Sequence, residues 1–407
     1  MKKEFTYKCE CCGRVFEIDK DLMLCPFCSR ERIESKPFKG VLKVQLPSGL
    51  MNSKKTNDEF DIFDYLPVEK EYFPKLPVGN TPLIEAKNIQ KDLGFEKVFL
   101  KFDGTNPTGS FKDRASFLVS AFAKKYKKKE IVVASTGNAA SSMSGIAAAA
   151  EQKVYVLMPE SAPKAKIVQC LQYGAEVIPI KGNYDKAFEL SIKLSSETGF
   201  FNRNTAFNPM TIEGKKTVAI ELSSQLNGGS IDYVFVPVGD GVILDGVIKG
   251  FLDMLYLGLI NFIPKIIGVQ AKGSPYIFNA FYSNKFNVSS KAKTIADSIS
   301  VDVACNAFSA VRNLKKVDGE ILLVSDKEIL AAQHYVSKKS GIFCEPSSAA
   351  AFAGFLKMKE KLQEDKSYII LLTGSGLKDI DSACKGIKFP NSFEPDLNLI
   401  MKKLKLK

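Results

Sequence analysis

The sequence holds a single histidine in 407 residues. With only His334 available, a Ser/His/Asp triad elsewhere in the chain and a metal site built from several histidines are both excluded. His334 lies in SDKEILAAQHYVSKKSG, where a surface or helix-packing role is expected. Proton transfer therefore falls to other groups, lysine first. Also missing is any run near the roughly 20 apolar residues that span a bilayer, and the opening MKKEFTYKCECC lacks an apolar secretion core. A cytoplasmic chain with no membrane partner is the expectation. No aromatic or arginine-rich recognition motif accompanies the net charge of +12. Its densest run, Lys124 to Lys129, ends a stretch that reads as a helix, where cations complement the dipole, and the tail MKKLKLK reads as frayed. The charge is thus read as a solvated face, with no nucleic-acid partner.

Cysteine is present in an uneven pattern. Five of the nine fall within the first 28 residues. Cys9 and Cys12 form one Cys-x-x-Cys followed by Gly13, and Cys25 and Cys28 form a second around Pro26. Two such knuckles across a short segment bring four thiolates to a tetrahedral point, the zinc-ribbon pattern, in which four protein ligands leave no open position. Cys11 is a spare that can stand in for a neighbour. Cys170, Cys305, Cys344 and Cys384 are isolated and read as packing residues.

The length, with 45% hydrophobic and 25% charged residues, allows two or three compact units. After the ribbon, SGLMNSKKTNDEFD reads as a linker or surface arm. Beyond it, β-rich runs alternate with amphipathic or alanine-rich stretches: KVFLKFD, EIVVAS, KVYVLMP and AEVIPIKG, then DYVFVPVG, KIIGVQAKG, EILLVS and YIILLTGSG. This alternation predicts an α/β protein with two open parallel sheets and a cleft between them, the loops at the strand carboxyl ends facing that cleft.

Four of those loops carry chemistry. In FDGTNPTGSFKDRAS a Pro/Gly turn delivers Ser110, Phe111 and Lys112 to a helix start. A cation there opposes the helix dipole, which lowers the amine pKa and favours a neutral nucleophile able to condense with an aldehyde. Ser135, Thr136 and Gly137 end the next strand and open a helix, offering hydroxyls and free N–H groups to a carboxylate, and Asn138 adds a side-chain donor. Gly239, Asp240, Gly241 and Val242 follow a third strand, where glycines let backbone amides approach a phosphate. Leu372 to Gly376 is again small and polar.

Together these loops resemble pyridoxal-phosphate (PLP) enzymes of the tryptophan-synthase β fold (fold type II), and most closely the threonine synthases. The resemblance covers about residues 75 to 390, and a ribbon precedes it in many threonine synthases. It rests on NPTGSFKDR (Asn106 to Arg114), Ser-Thr-Gly-Asn at 135 to 138, and Glu-Pro-Ser-Ser-Ala at 345 to 349. It implies that Lys112 carries the cofactor and moves the α-proton, with Phe111 beside it. Asn138 would contact the ring hydroxyl, the Gly239 loop through Val242 and Ile243 the cofactor phosphate, and Thr373 the pyridine nitrogen. Ser135, Thr136 and Gly137 would hold the substrate carboxylate. A hydroxyl at Thr373 leaves the ring nitrogen unprotonated and the electron sink moderate. The expected organisation is a ribbon over 1–45, a large cofactor-binding domain from 46–105 and 220–395, a small domain over 106–219 and a basic tail over 396–407. A homodimer acting on a small amino acid is expected, with PLP and structural zinc. The implied reaction turns O-phosphohomoserine into threonine and phosphate. The alternative is a β-eliminating or β-replacing relative: a threonine, serine or diaminopropionate ammonia-lyase, or a cysteate synthase-like enzyme.

The sequence departs from that family twice. The usual Asn-Ser-Val-Asn-Pro-x-Arg becomes Thr205-Ala206-Phe207-Asn208-Pro209-Met210-Thr211, so a two-pronged phosphate ligand is replaced by the hydroxyl of Thr211. Arg203 or Lys215 is the expected compensation. Asp240 stands in the phosphate loop and is expected to turn away and cap the following helix.

Overall fold

The computed structural model describes residues 4–406 apart from 31, 35, 53–60, 161, 163, 227–228 and 287–290. Most of the predicted linker at 48–61 lies outside the described residues. All eight β-rich runs form strands. In chain order the strands are β1 (Thr6–Cys9), β2 (Val15–Glu17), β3 (Leu42–Gln45), β4 (Leu83–Glu85), β5 (Lys97–Phe102), β6 (Glu130–Ala134) and β7 (Lys153–Pro159). They continue with β8 (Glu176–Ile180), β9 (Phe201–Asn202), β10 (Tyr233–Pro237), β11 (Lys265–Ala271), β12 (Glu320–Val324) and β13 (Ser367–Leu372).

Three sheets result. The largest has the order β12-β11-β10-β13-β5-β4 and is parallel except for its β4 edge. The second, β8-β7-β6-β9, is wholly parallel. Between β5 and β10 the chain leaves the large sheet, builds the small one and returns. Strand β13, SYIILL, lies mid-sheet and is buried at all six positions, which is why it reads as an unbroken apolar run rather than an alternation. Each such side chain contributes about 1.5–3 kcal/mol on burial.

The third sheet is the antiparallel ribbon, β2-β1-β3. It is packed rather than tethered: Tyr7, Cys9, Leu42 and Val44 share a core with Leu118, Phe122 and Val133 of the small-sheet side. The tail differs from the sequence expectation of fraying. Leu397–Leu404 forms a helix, because Asp396 accepts from the amides of Asn398 at 2.7 Å and Leu399 at 3.4 Å, though none of its residues is buried. His334 is exposed on its helix. Among the described residues no helix is long and apolar enough to cross a membrane.

The four knuckle cysteines converge. The sulfurs of Cys9, Cys12, Cys25 and Cys28 all lie within 4.8 Å of one another, with Cys9–Cys28 and Cys12–Cys25 each at 3.8 Å. A tetrahedron with metal–sulfur bonds of about 2.3 Å has edges of about 3.8 Å, so the donor set fits zinc. Cys11 is exposed and outside the cluster, its sulfur accepting from the Gly40 amide at 3.1 Å. Changing Cys9 and Cys25 together to serine is expected to abolish stoichiometric zinc in metal analysis while the visible cofactor absorbance is still reached at saturating cofactor.

Candidate active site

Residues Asn106 to Phe111 bend the chain from β5 into the helix Lys112–Lys125. Gly109 makes the turn at φ +83°, and the Phe111 amide donates to the Thr373 carbonyl at the end of β13, 2.8 Å away. Arg114, one turn in, fastens the helix start. Its guanidinium reaches Asp103 at 2.5 Å and Glu221 at 2.6 Å in a fully buried cluster. Lys112 is thereby held at the wall of a cleft between the two parallel sheets, which Ser135 to Asn138 and Gly239 to Gly241 also line. Burial pushes its amine pKa below the ordinary lysine value; Arg203 and Lys166 add to this, while Asp240 and Glu345 oppose it.

Opposite stands the end of β6. Ser135, Thr136 and Gly137 line the cleft, and the Ser135 hydroxyl accepts from the Gly137 amide at 3.0 Å. A side chain at Gly137 would collide with Lys166, whose ammonium lies 2.8 Å from where a Cβ would stand. Asn138 opens the helix Asn138–Ala149. Its Nδ2 donates to Ser298 at 3.0 Å and to both Glu345 oxygens at 3.1 and 2.9 Å, while its Oδ1 is buried without a partner. A buried acceptor left open in a cleft is what a ring hydroxyl would satisfy.

The loop after β10 forms the third wall. Gly241 adopts φ +89°, and a Cβ there would sit 2.8 Å from that of Ala310. Asp240 meets half of its expectation: its Oδ1 accepts from the Val242 amide at 3.0 Å, at the start of the helix Val242–Tyr256, but it does not turn away, since it lines the cleft. Burial alone would raise its carboxyl pKa, yet Lys215 and Lys112 hold it below the usual range.

Two further cations line this cleft. Arg203 is fully buried; its Nε donates to Ser116 at 3.3 Å and its Nη2 has no partner. Burial lowers its pKa to about 10. Lys215 is fully buried too, donates to Thr205 at 3.3 Å, and is pushed well below the lysine range by burial and then by Lys112. Among the described residues neither is in an ion pair.

Four predicted contacts do not line the cleft. Thr211 is buried in the short helix Met210–Lys215, its hydroxyl donating to the Asn208 carbonyl at 2.7 Å, so it faces its own turn. Phe111 and Val242 pack into the core beneath their loops. Thr373 is buried behind the wall, its hydroxyl 3.1 Å from Ser348. Conversely, Tyr184, Asp297 and Ser298 line the cleft and were not singled out; Asp297 pairs with Lys166 across it. The only signal for Asp297 and Ser298 is the polar run TIADSIS, and Tyr184 lies outside it.

This geometry agrees with comparison to known proteins. Residues 75–374 match the family described as pyridoxal-phosphate dependent enzyme. The chain belongs to that family. It is 33% identical to a threonine synthase of Methanocaldococcus jannaschii over 98% of this chain and 99% of that protein. A threonine synthase of Synechocystis is 36% identical, over 83% and 88%. Among solved structures, the processed form of threonine deaminase isoform 2 from Solanum lycopersicum superposes with a TM-score of 0.66 at 23% identity, covering 82% of this chain and 95% of that one, a likeness of fold. The protein is thus a PLP-dependent lyase of fold type II that resembles the threonine synthases.

Proposed function

We propose that this enzyme makes threonine from O-phosphohomoserine, releasing phosphate and adding water at the β-carbon. The observation that carries this reading is the buried guanidinium of Arg203, whose Nη2 has no partner, beside the buried Lys215 in the cleft of Lys112. A buried guanidinium with an unpartnered nitrogen is costly unless an anion joins it. PLP bound in the cleft supplies the electron sink that makes the α-proton acidic. Lys112 would hold the cofactor, and its amine is the group placed to take that proton. Ser135, Thr136 and Gly137 hold the substrate carboxylate, and Asn138 accepts the ring hydroxyl. Gly239 to Ile243 cradle the cofactor phosphate. Thr373, buried behind the cleft wall beside Ser348, would leave the ring nitrogen without a charged partner from that side. The thiolate cluster takes zinc, and the chain works in the cytoplasm.

The substituted Thr211 favours the second reading, a β-eliminating ammonia-lyase, because the usual guanidinium is missing there. Phosphate release from O-phosphohomoserine, measured beside ammonia release from threonine, serine and diaminopropionate, separates the two. Phosphate release is expected. Ammonia from any of the latter without phosphate from the former would leave only the lyase reading.

A further inference from the structure

Asp245 is fully buried on the helix that starts at the Gly239–Gly241 loop, and it does not line the cleft. Four donors converge on its carboxylate: Lys43 of β3, Asn306 at 2.9 Å, Ser309 at 2.6 Å and Asn313 at 3.1 Å. Lys43 comes from the ribbon. A second ribbon residue, Glu10, sits between Cys9 and Cys12. Its carboxylate accepts from Asn313 at 2.8 Å and lies 3.5 Å from the Lys43 ammonium, while its carbonyl accepts from Arg312.

Asn313, Arg312 and Ser309 belong to one helix, Ala307–Lys316. Just before it, Asn306 donates its amide to the Asp240 carbonyl at 3.2 Å and its Nδ2 to the Gly241 carbonyl at 3.4 Å. Ala310 meets the position a Gly241 side chain would fill. The ribbon thus grips one helix whose start braces the loop. A backbone bond from Phe38 to the Cys305 carbonyl at 2.9 Å adds a third hold. A buried carboxylate with four donors holds its partners in one arrangement, because losing any donor leaves a charge poorly satisfied.

We infer that the ribbon positions the cofactor-phosphate loop: Glu10 and Lys43 act through Asp245 and Asn306 on Asp240 and Gly241, so the metal cluster and cofactor affinity are coupled. This rests on the assignment of that loop to the cofactor phosphate. The four sulfurs fix the turn that carries Glu10, and the same coupling must run in reverse, since linkage is reciprocal.

The test measures equilibrium binding of PLP, and of pyridoxal without its phosphate, to the zinc-loaded full chain and its Glu10→Gln and Lys43→Met variants. PLP affinity is expected to fall about tenfold in both with zinc content unchanged, while pyridoxal affinity stays level. Unchanged PLP affinity, or an equal loss for pyridoxal, overturns the inference. If Lys43→Met does not fold, the half-buried Glu10→Gln carries the test alone. In the wild type, PLP is expected to raise zinc affinity in a chelator competition by the factor by which zinc raises PLP affinity; identical zinc affinity with and without PLP also overturns the inference. Wild-type protein that binds pyridoxal as tightly as PLP removes the loop assignment, and the coupling with it.

Discussion

Lys112→Ala is expected to lower turnover by at least roughly a thousandfold, the scale of losing a covalent anchor and a positioned base together. The variant is also expected to lose borohydride-stable attachment of the cofactor, which in the wild type falls on the peptide containing Lys112. Attachment to another peptide, or persistence in the variant, would move the assignment to another lysine. The electrostatics add a pH signature. Capture of the cofactor aldehyde needs the neutral amine, and burial shifts the Lys112 pKa below that of an ordinary lysine. The rate of cofactor loading should therefore rise with pH and level off below the pH at which an exposed lysine would. A rise that continues through the ordinary lysine range would show that the cleft does not perturb this amine.

The second large effect is expected at Arg203. Replacing it with methionine removes the unpartnered guanidinium while filling much the same volume. Loss of a charge-assisted hydrogen bond to a phosphate costs about 1.5–3 kcal/mol, so kcat/KM for O-phosphohomoserine should fall roughly 10- to 150-fold. Lys at this position should recover part of the loss, because it keeps the charge without the fork. The fold should not suffer, since an unpaired buried charge is itself destabilising, and thermal unfolding should occur at the same or a higher temperature. If kcat/KM is unchanged in Arg203→Met while the protein remains folded, the cation serves no substrate anion, and the phosphate reading loses its support.

How far these residues could be read from sequence depends on what kind of information each carries. The eight apolar runs announce strands because buried parallel strands need β-branched and aliphatic side chains on both faces. β4 and β9, three and two residues long, are too short to show any period, so they went unread. The convergence of Ser135 to Asn138, Gly239 to Gly241 and Lys112 on one cleft follows from strand order, since loops at carboxyl ends share an edge. The direction of a side chain does not follow. Thr211 stands where the family places a ligand, yet a threonine in the first turn of a helix bonds its own preceding carbonyl. Arg203 and Lys215 are visible as charges, but only the fold shows that both are buried and that Arg203 Nη2 has no partner. Glu10, between Cys9 and Cys12 of the thiolate cluster, gives no hint in sequence of a role across the molecule.

The chain's detour out of the large sheet has a consequence during synthesis. The small sheet uses residues 130 to 202 without interruption, so it can form as soon as that stretch leaves the ribosome. β5 cannot: its central partner is β13, pairing Leu100 with Ile370, and the turn before Lys112 is clasped by Ser110 against Gly374. Contacts this distant in sequence are slow to close and leave apolar edges waiting. The nascent polypeptide must therefore keep β5 from wrong partners until its last tenth emerges, and a chain stopped short of β13 would hold a finished small sheet beside an unanchored Lys112.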